Sequence, residues 1–163
     1  MIKKLIIYYS QGGKTDLVAR TLAKNLHADL LRVIDLKNRE GFKNKLFASI
    51  NAFRETKTEI APKSVDLTPY STIYFGTPTW NGNPTPAIIT MIDRCDLKGK
   101  DVILFATMDS NRGESNIKRL EEKVKMRGAR VIESFTIATK DKTPEKLAHD
   151  TEAVIEIKDL KMY

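Results

Sequence analysis

"KKLIIYYSQGGKTDLVARTLAKNL" (residues 3–26) passes from strand pattern to loop to helix pattern without interruption. Lys3 to Tyr9 is a short apolar run, as expected of a strand buried on both faces of a sheet. Asp16 to Leu26 carries Leu17, Val18, Leu22 and Leu26 on one helical stripe. Between them "SQGGKT" (Ser10–Thr15) is a turn of glycines and hydroxyls. A strand that turns directly into a helix in this way opens an alternating α/β chain.

The alternation continues to the last residues. "DLLRVIDL" (Asp29–Leu36) predicts a second strand, and Phe42, Leu46, Ile50 and Phe53 a second helix with an aromatic face. "STIYFGT" (Ser71–Thr77) predicts the third strand, and Ile88, Met91, Ile92 and Cys95 share the face of the next helix, with Pro86 in its first turn. "KDVILFAT" (Lys100–Thr107) is the fourth strand; Ile117, Leu120 and Val124 give a helix stripe that closes at Arg127-Gly128. "ARVIESFTIAT" (Ala129–Thr139) is the fifth, and Thr143 to Ile157 the last helix. No repeat or linker divides the chain, so a single domain over residues 1–163 is expected. The fold class is α/β in three layers, a doubly wound five-stranded parallel sheet with helices on both faces. Right-handed crossovers then place Ser10–Thr15, Pro78–Thr85 and Met108–Glu114 at the carboxyl edge of the sheet, where such folds bind ligands.

Composition removes several functional classes. No apolar run approaches the roughly 18 residues of a membrane span, so no membrane insertion is expected. One cysteine, Cys95, excludes an internal disulfide, and with no export signal the expected compartment is the cytoplasm. His27 and His149 are the only histidines and nothing has metal-ligand spacing, so no metal is expected. The net charge of +7 admits nucleic acid, an anionic surface or an acidic protein as partner, or simple solvation. Nucleic acid lacks a recognition motif, and positive charges are mixed with acids, as in "KRLEEKVKMR" (Lys118–Arg127).

Loop chemistry narrows the ligand. A triphosphate-binding loop needs a glycine five positions before Gly13, and Tyr8 stands there, still inside the strand. No later strand ends on a magnesium-organising acid, and the adjacent Gly12 and Gly13 do not spell a dinucleotide fingerprint. A single phosphate suits the loop better: Ser10, Lys14 and Thr15 surround a turn whose amides feed into a helix N-terminus. The alternative is a plain helix start capped by Thr15. The second loop, "GTPTWNGNPTP" (Gly76–Pro86), contains the only tryptophan, Trp80, whose ring could stack on a flat ligand or fold back onto the core. Asn81-Gly82 beside it accepts positive φ.

These two loops, in this order and spacing, resemble those of the flavodoxin family over nearly the whole chain. "YSQGGKT" is similar to the family's phosphate loop, Ser/Thr-x-Thr-Gly-x-Thr, with Ser10, Gly13 and Thr15 in register, and "GTPTWNGNPTPAI" to its second flavin loop. The resemblance implies a flavodoxin-like sheet in order 2-1-3-4-5 and noncovalent FMN, carrying single electrons through oxidised, semiquinone and reduced states. The implied FMN-binding residues are Ser10, Gln11, Gly12, Gly13, Lys14 and Thr15, then Thr77, Pro78, Thr79, Trp80, Asn81 and Gly82, then Thr107, Met108, Asp109 and Ser110. No catalytic acid or base is implied; a backbone carbonyl of Asn81-Gly82 is expected near the flavin N5.

Three departures stand out. Gly12 replaces the family's threonine, "TMDSNRG" (Thr107–Gly113) lacks both a glycine cluster and a second stacking tyrosine, and the chain is basic where flavodoxins are acidic. The open flavin face keeps a second function in view, an FMN-dependent NAD(P)H:quinone-type oxidoreductase. The missing threonine raises a third, a binding module that has lost its flavin. The charge leads us to expect an acidic redox partner protein, and a monomer or weak homodimer.

Overall fold

A computed structural model describes residues 2–37 and 57–163; the helix expected over Phe42–Phe53 lies outside the described residues. In chain order the elements are β1 (Lys4–Tyr8), α1 (Lys14–Leu26), β2 (Asp29–Arg32), β3 (Ile34–Asp35), β4 (Ile60–Ala61), β5 (Thr72–Pro78), α2 (Pro86–Asp93), β6 (Asp101–Met108), α3 (Gly113–Met126), β7 (Arg130–Ala138) and α4 (Pro144–Ile157). Five strands form one parallel sheet in the order β2-β1-β5-β6-β7. With the small β3–β4 ladder set apart, this is the expected 2-1-3-4-5.

Strand alternation explains the unbroken apolar runs. Leu5, Ile7, Ile73, Phe75, Val102 and Leu104 face one way and join Ile88, Met91 and Leu120 of α2 and α3. Ile6, Tyr8, Tyr74, Ile103 and Phe105 face the other way and join Val18 and Leu22 of α1 and Leu147 and Ile155 of α4. Each central strand is therefore covered on both sides, the condition under which a parallel sheet reads as continuously hydrophobic. Gly76 of β5 serves this packing, because a Cβ there would sit 2.0 Å from the Phe105 ring.

The expected second strand is the one element that divides. Asp29–Arg32 pairs with β1, and the Val33 amide still donates to the Tyr8 carbonyl at 2.8 Å. β1 ends there, leaving Ile34–Asp35 no neighbour in the main sheet; they pair antiparallel with Ile60–Ala61 instead. Helix ends follow local chemistry. α3 stops where Gly128 adopts φ 92°, and α4 starts where the Thr143 hydroxyl accepts the Lys146 amide at 3.1 Å. Among the described residues no helix is long and apolar enough to cross a membrane.

Candidate functional site

At the carboxyl edge of the sheet the three loops enclose a cleft of about 340 Å³. Of the residues expected there, Gln11, Gly12, Lys14, Thr15, Pro78, Thr79, Trp80, Asn81, Thr107, Met108 and Asp109 line it. Ser10, Gly13, Thr77, Gly82 and Ser110 do not, and most of these have structural work in the loops.

In the first loop the Ser10 hydroxyl accepts the amides of Gly13 at 3.2 Å and Asp16 at 3.1 Å, so its oxygen shapes the turn. Gly13 takes φ 93°, a left-handed conformation that glycine adopts without strain. The amides of Gly12, Lys14 and Thr15 donate to no protein acceptor among the described residues. They sit at the start of α1, where unpaired N–H groups and the helix dipole attract an anion. The Thr15 hydroxyl is buried and lies 2.7 Å from that of Thr107. It does not cap the helix.

Asp16, on the first turn of α1, is surrounded by donors: the Tyr8 hydroxyl, and Arg20 Nε at 2.9 Å. Partial burial works to raise its carboxyl, but the hydrogen bonds from Tyr8 and Arg20 and the charges of Arg20 and Arg32 outweigh this and hold it below the ordinary range. Burial, and then the bond to Asp16, push the Tyr8 phenol up to about 12.

The second loop is a two-residue hairpin. Trp80 and Asn83 exchange both backbone hydrogen bonds, at 2.9 and 3.0 Å, around Asn81 at φ 53° and Gly82 at φ 77°. Two positive φ values make it a type I′ turn, the one for which Asn-Gly is best suited. Trp80 is half-buried and packs against the core, while its ring also lines the cleft and stands edge-on to Tyr9 (centroids 5.8 Å apart, 88° between planes). The indole is therefore anchored on the core and faces the cleft at the same time. Thr77 is buried and bonded to Thr85 at 2.9 Å, closing the base of the loop.

Arg112, the N-cap of α3, and residues of its first turn hold this hairpin. Arg112 Nη1 donates to Asn81 Oδ1 at 2.8 Å, and the Ser115 hydroxyl donates to the Gly82 carbonyl. Asn116 Nδ2 donates to Thr79 Oγ1 at 3.0 Å and to the Pro78 carbonyl at 3.2 Å. The Thr79 hydroxyl in turn donates to the Thr107 carbonyl at 2.8 Å. Thr139, after β7, lines the cleft and bonds the Met108 carbonyl through its amide at 2.8 Å. None of Arg112, Ser115, Asn116 or Thr139 is singled out by the sequence reading. Their signal is weak but present: Arg112, Ser115 and Asn116 have i, i+3, i+4 spacing at a helix start, and Thr139 follows a strand at the ligand edge.

Among the described residues the cleft is lined by no histidine or cysteine, and by one carboxylate, Asp109. Cys95, just past the end of α2, is buried in the core, where loss of solvent pushes its thiol up to about 11.

A family model described as flavodoxin matches residues 3–154. The chain belongs to the flavodoxin family. Solved flavodoxin-like structures share the fold. A flavoprotein from Lactobacillus acidophilus NCFM in complex with FMN aligns at TM-score 0.72 and 24% identity, over 83% of this chain and 93% of that one. A flavodoxin, WrbA-like protein from Agrobacterium tumefaciens aligns at 0.61 and 15%, over 99% of each chain. Oxidised flavodoxin 1 from Bacillus cereus aligns at 0.52 and 20%, over 94% and 97%.

Proposed function

We propose that the cleft binds FMN noncovalently and that the chain is an electron-transfer flavoprotein. The observation that carries this reading is that unpaired amides at the start of α1 and the Trp80 ring line one cleft. The residues fit the group. Amides of Gly12, Lys14 and Thr15, with the exposed Lys14 ammonium, suit a phosphate. Trp80, braced by Tyr9 and by the α3 contacts to its hairpin, offers a fixed aromatic surface without needing to be ordered on binding. Bound FMN supplies the redox chemistry, and the protein supplies position, water exclusion and electrostatics.

A titration of flavin-free protein with FMN and with riboflavin tests this. FMN should bind more tightly, with its emission quenched. Equal affinities, or bound flavin as bright as free flavin, would overturn the assignment.

A second reading, an NAD(P)H oxidoreductase, is favoured by one observation: among the described residues that line the cleft Trp80 is the sole aromatic, and the third loop contributes Met108 and Asp109. One ring face left without an aromatic cover suits hydride exchange. Turnover of NADH or NADPH with benzoquinone supports this reading; its absence, with FMN bound, supports the carrier.

A further inference from the structure

β2 ends beside the first loop, and its last residue reaches into it. Arg32 Nη2 donates to the Ser10 carbonyl at 3.0 Å, and Arg32 Nη1 lies 3.6 Å from Asp16 Oδ1. Asp16 follows Thr15 directly on the first turn of α1. A carboxylate there is favourable to the helix dipole, but it competes for the same positive end with any second anion and repels it. A phosphate monoester carries about two negative charges at neutral pH, so the repulsion is considerable.

The neighbours of Asp16 offset it. With its carboxylate at −1 and Arg20 and Arg32 at +2, the cluster carries +1. Arg20 contributes through an i,i+4 pair on α1 and is 62% exposed, in the range where water and salt screen most of the effect. Arg32 comes from a different element, is 40% exposed, and touches the loop's own backbone. Without Arg32 the cluster is neutral, and the Ser10 carbonyl loses its donor.

Resting on the FMN reading, we propose that Arg32 is a positioning residue that makes the first loop selective for the phosphorylated flavin by offsetting the Asp16 carboxylate beside it. The loop amides contact the phosphate; Arg32 sets the field in which they do so. Discrimination between FMN and riboflavin therefore depends on a residue of β2, outside all three ligand loops.

The test is a set of dissociation constants for FMN and riboflavin, by flavin fluorescence, in the unaltered chain and in Arg32→Gln, Arg32→Lys, Asp16→Asn and the Arg32→Gln/Asp16→Asn double variant. Arg32→Gln should weaken FMN about tenfold, the scale of one charge-assisted interaction, while riboflavin changes less than about twofold. Arg32→Lys should recover part of the loss, which a purely structural role of the guanidinium would not allow. The double variant should bind FMN more tightly than Arg32→Gln alone, because no carboxylate is left to offset. Equal losses for both flavins, or a double variant no tighter than the single one, would overturn the proposal. If the unaltered chain does not prefer FMN to riboflavin, the FMN reading itself fails, and this inference with it.

Discussion

The hydroxyls of Thr15 and Thr107 meet at 2.7 Å, buried in the wall of the cleft, although 92 residues separate them in the chain. Either can be the donor. Whichever it is, the other keeps its proton, so the pair as a unit can offer one O–H to a ligand while tying the first loop to the third. Thr15→Val and Thr107→Val should each weaken FMN binding by about 1.5–3 kcal/mol, the range for a hydrogen bond to a charged group. Their effects should not add, because the two share one hydrogen bond. Titration of both single variants and the double one checks this, and strictly additive losses would show two independent contacts.

Trp80 should quench bound flavin. Trp80→Ala should restore emission from flavin that stays bound and weaken binding by about 1–3 kcal/mol, by analogy with bases stacked on aromatic side chains. Tyr9→Leu should give a smaller effect in the same direction, since it removes the edge-on brace and leaves the indole. An unaltered protein whose bound flavin is fully bright would limit Trp80 to core packing.

The Tyr8 phenol, raised from 10.0 to about 12, makes a prediction at alkaline pH. Burial is the largest cause, the bond to Asp16 the next, and the charges of Arg20 and Arg32 act in the opposite direction. The fold favours the neutral phenol, so its stabilising contribution is complete below pH 10 and is lost as pH rises from 10.0 toward about 12. Urea midpoints of the unaltered protein should therefore fall more steeply over that window than those of Tyr8→Phe. Parallel curves would show that this ionisation is not opposed by the fold.

We propose an acidic redox partner. Lys14 at the start of α1, and Arg112 and Lys140 on loops, are exposed at the ligand edge, within a chain of net charge +7. Complementary charge raises encounter rates more than affinity, and salt removes the gain as the Debye length shrinks to about 8 Å. In stopped flow across a salt series, an acidic donor should reduce the protein faster at low salt than a basic donor of similar potential, and lose the advantage at high salt. A basic donor that wins at low salt would reduce the positive charge to a matter of solvation.

Much of this molecule can be read along the chain because the signals are local. "LIIY" (Leu5–Tyr8) is apolar without interruption because both faces of β1 are covered, Gly128 ends α3 because its φ is positive, and Asn81-Gly82 makes the turn that its residue types favour. The edge that collects the loops follows from right-handed crossovers, a property of connectivity, whereas the strand order is implied by the resemblance of the first two loops to those of the flavodoxin family and is observed in the sheet. Only the tertiary structure could pair Thr15 with Thr107, bring Arg32 to Ser10 and Asp16, or set Arg112, Ser115 and Asn116 against the Trp80 hairpin. Those partners come from different elements, and their meeting depends on strand register and helix placement. Periodicity reports which face of an element is buried; it carries no record of which distant side chain that face will meet.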